Sequence, residues 1–192
     1  MDIASAYQAV WSFTPPRKCR EVHAAGLAAH GALNLAFFEF YSADEIAEGD
    51  AFVSEMLIPG LVPIGGDSTG DRWCFDARLR VGGTIPIAFC PHDGGGASYV
   101  APSFAGFLYR LVLENLMYWE FYGRRGVDRA ALRSLTLDNL RKLEPWLLHR
   151  WARRGREIAS MDAWPTDDDF DAVMRQDRAF SRLPAGEFDH FR

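Results

Sequence analysis

The 192-residue chain has no run of about 18 consecutive apolar residues, which excludes a helix that crosses a membrane. It holds only three cysteines, Cys19, Cys74 and Cys90, an odd number without CxxC spacing. That excludes a disulfide framework and a four-thiolate zinc site, and reads as reduced thiols in a cytosolic protein. Its opening residues, Met1-Asp2-Ile3-Ala4-Ser5, lack the basic cluster and apolar core of a secretion signal, so a soluble, cytoplasmic protein is expected. There is no internal repeat and no Pro-rich or Gln/Asn-rich tract.

What the chain does have is apolar and aromatic bulk. Hydrophobic residues make up 48% of it and aromatics 14%, enough to bury a core without disulfides or metals. Its net charge of −5 is uneven: residues 1–122 hold 7 Lys/Arg against 14 Asp/Glu, and residues 123–192 hold 14 against 12. An acidic front part repels phosphate backbones and suits a basic protein partner. Plain solubility would account for the same imbalance.

Along the chain, residues 4–13 suit a short helix that ends before Pro15-Pro16. An Ala-rich stretch over 23–31 suits a second helix, with Gly31 as its stop. Residues 33–41 read as a strand. Ser42 with Glu45 forms a capping box that opens a helix to about residue 57. Then come short strands at 61–64, 72–78, 84–90 and 97–101, separated by glycine-rich turns. Their alternating patterns predict an antiparallel meander with one face on a core, and such short connections leave no room for crossover helices. Pro102-Ser103 opens a long helix to about residue 122 with two apolar flanks. Beyond it the pattern is helical: Asp128 as an N-cap, Pro145 at a new helix start, and Thr166 capping Asp167-Asp168-Asp169. The predicted fold is α+β, a β-meander packed by helices, with a domain over 1–122 and an all-helical extension over 123–192 docked on it.

The middle of the chain carries a characteristic order: Ile64-Gly65-Gly66-Asp67, Gly70-Asp71 before a strand ending at Asp76, Ile85-Pro86-Ile87, His92-Asp93, and Val100-Ala101-Pro102-Ser103-Phe104-Ala105-Gly106-Phe107-Leu108. This resembles the SUKH superfamily, which includes bacterial toxin-immunity proteins and fungal cell-wall-synthesis regulators. The likeness covers roughly residues 33–116. The "Leu-Pro" helix and "Asn-Gly-Gly" turn usual at the start of such proteins are missing, and residues 123–192 have no counterpart in the short family core. The resemblance implies an α+β fold, no catalytic residues, no cofactor and no metal, and a role in binding and blocking a cognate toxin such as a nuclease or deaminase.

Three patterns could carry chemistry instead. Gly66-Asp67-Ser68-Thr69-Gly70 fits a nucleophile elbow, which needs a strand before it and a helix after; here a strand is expected to follow. Cys90 and His92 would share a strand face, but no second ligand pair stands at zinc-like spacing. Arg150, Arg153, Arg154 and Arg156 form a basic run that reads as a solvated helix face. The leading expectation is therefore a non-catalytic binding protein whose partner is a basic toxin, with no nucleic acid or membrane involved. Its partner-facing acids would be Glu39, Glu48, Asp50 and Glu55 around the first strand and helix, and Asp67, Asp71 and Asp76 in the meander. A scaffold or regulator of the same fold is the second reading, and a small hydrolase the third.

Overall fold

The computed structural model of the chain describes residues 1–35, 37–48, 57–93, 95–118, 123–124, 126–164 and 166–190. They divide into two compact units. The first comprises Met1–Leu33, Phe37–Phe104 and Leu183–Arg192, and the second Asn34–Ala36 with Ala105–Arg182. The architecture is α+β, with one six-stranded antiparallel sheet and seven α-helices among the described residues. None of these helices is long and apolar enough to cross a membrane.

In the first unit, helix α1 (Ile3–Trp11) is capped by Asp2, whose carboxylate accepts from the Ser5 amide at 3.0 Å. Pro16 then sits at the N-cap of α2 (Arg17–Ala24). This differs from the expected 23–31 helix. The Ala-rich stretch forms turns in which Gly26 and Gly31 have φ of +73° and +72°, while Cys19 and Val22, three apart, give the polar 17–24 segment its buried stripe.

The first strand is also shorter than expected: β1 is only Glu39–Phe40. The Ser42 capping box is present, with Glu45 N–H donating to Ser42 Oγ at 3.2 Å and Ser42 N–H to Glu45 Oε2 at 2.7 Å. It opens α3 (Ala43–Glu48); the remainder of the expected helix lies outside the described residues.

The meander continues with β2 (Leu61–Gly66), β3 (Arg72–Asp76), β4 (Ile87–Cys90) and β5 (Ala97–Ala101), each paired antiparallel with the one before. A sixth strand, β6 (Glu187–Phe188), pairs with the start of β5, so the segment expected to be wholly helical also supplies a strand.

Both faces of the central strands are buried, not one as expected. Trp73, Phe75 and Phe89 point to an aromatic layer in which Phe75 lies 5.3 Å from Phe13 and 6.0 Å from Phe104. Cys74, Ala88, Cys90 and Ala97 form a small-residue face that Leu61 of β2 extends and Leu57 packs on, with Trp11, Ile58, Tyr99 and Phe188 around it. Small side chains let covering segments come close, which is why a face of low bulk is nevertheless dry.

The second unit holds α4 from Ala105 onward (helix Phe104–Met117), α5 (Arg129–Leu143), α6 (His149–Ala159) and α7 (Asp167–Arg175). Asp128 caps α5 by accepting from the Ala131 amide at 2.7 Å. Pro145 lies in a single 3-10 turn, Glu144–Trp146, before α6 begins. Thr166 stands at the N-cap of α7, but its hydroxyl donates to the Asp169 carboxylate at 3.0 Å and not to a backbone group. The rings of Tyr109 and Trp151 stack at 5.7 Å, and Arg110 bridges Glu114 and Asp171, both at 2.6 Å.

Candidate partner-binding surface

Antiparallel order decides which acids meet. Strand β2 ends at Gly66 and β3 starts at Arg72, so the connection holding Asp67 and Asp71 caps one end of the sheet. Glu39 pairs with Gly66 in register, which brings it to the same end. That end also carries the β4–β5 connection, with His92 and Asp93, because Cys90 pairs with Arg72.

The two connections are tied together. Asp71 Oδ1 accepts from the backbone N–H of His92 at 2.9 Å and lies 2.7 Å from its Nδ1. The hydrogen bond with Asp71 raises the imidazole pKa above its ordinary value, more than the slight burial opposes it. Asp67 is held harder still: its Oδ1 accepts from the amides of Thr69, Gly70 and Asp71, each at 3.0 Å, and from the Thr69 hydroxyl at 2.7 Å. Both acids thus shape their loops through Oδ1. Glu39 is freer, 68% exposed and 3.1 Å from Nδ1 of His30.

The seven expected acids do not form one group. Glu39, Asp67 and Asp71 share the sheet end. Glu48 is exposed at the close of α3. Asp50 and Glu55 lie outside the described residues. Asp76 stands at the far end of β3, 1% exposed, with both oxygens engaged by Arg78 and Tyr99. As a buried and fully bonded carboxylate it is a structural acid, and its place on a contact surface is corrected accordingly. Two exposed acids stand outside the expected partner-facing set: Asp93, beside His92, and Glu187 on β6, which pairs with Ser98 and would abut a Cβ at Gly96. Asp93 was legible as part of the His-Asp turn, whereas nothing local marks Glu187 as a strand residue.

The catalytic patterns come apart in three dimensions. Ser68 lies in a hairpin loop between β2 and β3, with no helix to follow it. Cys90 is buried on the small-residue face, whereas His92 is half exposed and engaged by Asp71. Among the described residues no three His, Cys, Asp or Glu side chains converge as metal ligands would. The basic run on α6 is matched by acids: Arg150 with Asp177 at 2.9 Å, Arg154 with Glu157 at 3.3 Å, and Arg156 with Glu144 at 3.2 Å. The sheet end thus gathers the carboxylates of Glu39, Asp67, Asp71 and Asp93.

A family model described as the SMI1 / KNR4 family (SUKH-1) matches residues 17–110. No curated protein and no solved structure matches the chain. The matched region runs from α2 into α4 and contains strands β1–β5 with both connections of the acidic rim. This match over residues 17–110 supports membership of that region in the SUKH superfamily.

Proposed function

We propose that this is a cytoplasmic, non-catalytic immunity-type protein that neutralises a basic toxin, a nuclease or deaminase, by covering its working surface. The observation that carries the reading is the convergence of Glu39, Asp67, Asp71 and Asp93 at one end of the sheet. Complementary charge steers encounter and fixes register, and close interfacial charge pairs contribute about 1.5–7 kcal/mol in measured cases. Two of these acids are locked into their loops, so little ordering entropy is lost when a partner arrives. The second reading, a scaffold or regulator of the same fold, is supported by the matched family model, which is named for SMI1 / KNR4.

The test is a growth assay. A stoichiometric partner is isolated from the native host on the tagged chain and expressed alone, then together with the chain. Growth arrest relieved by co-expression supports the immunity reading. Partners that are harmless when expressed alone move the assignment to the scaffold. Reversing Glu39 and Asp93 to lysine, which spares Asp67 and Asp71 and removes in the loops only the bond that Asp93 Oδ1 accepts from the Gly95 amide at 3.1 Å, is expected to weaken binding about tenfold or more. Unchanged affinity in that variant refutes the acidic rim as the contact surface.

A further inference from the structure

Five polar or charged residues are buried among those described, and three of them, Asn115, Thr136 and Asn139, belong to the helical unit. Asn115 stands on α4; Thr136 and Asn139 stand three residues apart on one face of α5. The two amide groups converge on one acceptor: Asn34 C=O receives Asn115 Nδ2 at 2.9 Å and Asn139 Nδ2 at 3.0 Å. That convergence settles which way each amide is turned, since its NH2 must face the carbonyl. Neither amide oxygen, nor Thr136 Oγ1, has a hydrogen-bond partner in the protein.

Three buried oxygens without partners are costly in a folded core. Their chemistry specifies what would satisfy them. Two are acceptors only and the third both donates and accepts, so the ligand must donate at least two hydrogen bonds. An anion has no donor to offer. A cation would bring a charge into a unit in which no acid is buried among the described residues. Water donates two hydrogen bonds, accepts others, and binds where two to four polar groups surround a small interior space.

We propose that Asn115, Thr136 and Asn139 bind ordered internal water and, with Asn34 C=O, form a polar clasp that holds the Asn34 segment against α4 and α5. Apolar residues in these places would pack the helices but would leave the Asn34 carbonyl without its two donors. The clasp thus holds an irregular stretch of chain inside the helical unit without strand pairing.

Two measurements test the clasp. The first is a high-resolution crystal structure with a parallel rubidium soak. Density within about 3.2 Å of at least two of the three oxygens, without anomalous signal, is expected. No density there overturns the proposal, and a rubidium peak replaces water with a cation. The second is thermal unfolding of Thr136→Val, which keeps the shape and removes the hydroxyl. If the hydroxyl holds water, Tm falls by about 2–4 °C. If the hydroxyl is merely buried and unbonded, its removal leaves Tm unchanged or raises it, and either result is enough to overturn the proposal.

Discussion

The guanidinium of Arg78 meets the carboxylate of Asp76 edge to edge, Nε donating to Oδ1 at 2.8 Å and Nη2 to Oδ2 at 2.7 Å. The Arg78 amide adds a third bond at 3.0 Å and the Tyr99 hydroxyl a fourth at 2.7 Å. Burial pushes the Asp76 pKa up, but these donors outweigh it and hold the group below its ordinary value. The acid therefore stays charged inside the unit and anchors the end of β3 to β5.

Asp76→Asn is expected to lower stability by about 2–3 kcal/mol, because Arg78 loses its partner and Tyr99 its charged acceptor. Urea unfolding at neutral pH measures it. The carboxylate's contribution is present above its unfolded pKa, near 4, and is lost as pH falls through the lower folded value. The variant should therefore show a flatter acid limb than the parent, and an unchanged limb would contradict the role.

Asp71→Asn removes the charge that favours imidazolium at His92. The folded pKa of His92 is raised, so the imidazolium's contribution to the tie is full below pH 6.5 and is lost as pH rises through the folded value, while the backbone bond from the His92 amide remains. NMR titration of the His92 ring should show a pKa above 6.5 in the parent and a drop toward it in the variant.

His23 behaves in the opposite sense. Burial beside Phe40 pulls its pKa from 6.5 down to about 4, and its Nε2 has no partner. The unfolded chain takes up this proton first, so stability is complete above pH 6.5 and declines as pH falls toward 4. The decline amounts to about 2 kcal/mol after allowance for the ring's partial exposure. His23→Phe should remove it, as read by denaturation at pH 7 and at pH 4.5.

The thiols of Cys19, Cys74 and Cys90 are all free and buried, and burial pushes those of Cys19 and Cys74 upward. Native protein should react with Ellman's reagent only as fast as it opens, and unfolded protein should release three equivalents at once. Rapid modification of Cys74 or Cys90 in the native state would contradict the packing of the small-residue face, and that of Cys19 the burial of α2.

Strands β2–β5 and the capping box were legible because their signals are local: alternation, glycine-bounded turns, and a serine with a glutamate three residues on. The same locality limited what could be read of the rest. Glu39 and Phe40 became a strand by pairing with Gly65 and Gly66, where a Cβ on Gly65 would collide with the Glu39 carbonyl oxygen. A close approach of that kind is invisible along the chain. Alternation also predicted a single buried face, since cysteine and alanine carry little weight in a hydrophobic pattern although they pack densely. Asp76 looked like its acidic neighbours until the register placed it at the far end of β3.

Strand β6 completes the sheet by pairing Phe188 with Ala97 and Glu187 with Ser98. During synthesis, β5 leaves the ribosome while these partners are still some ninety residues from being made, and the whole helical stretch intervenes. Until then the backbone edge of Ala97 and Ser98 is open to any passing strand. Assembly of the sheet thus has a timing built into its connectivity: its last edge closes only after the helical segment has been translated.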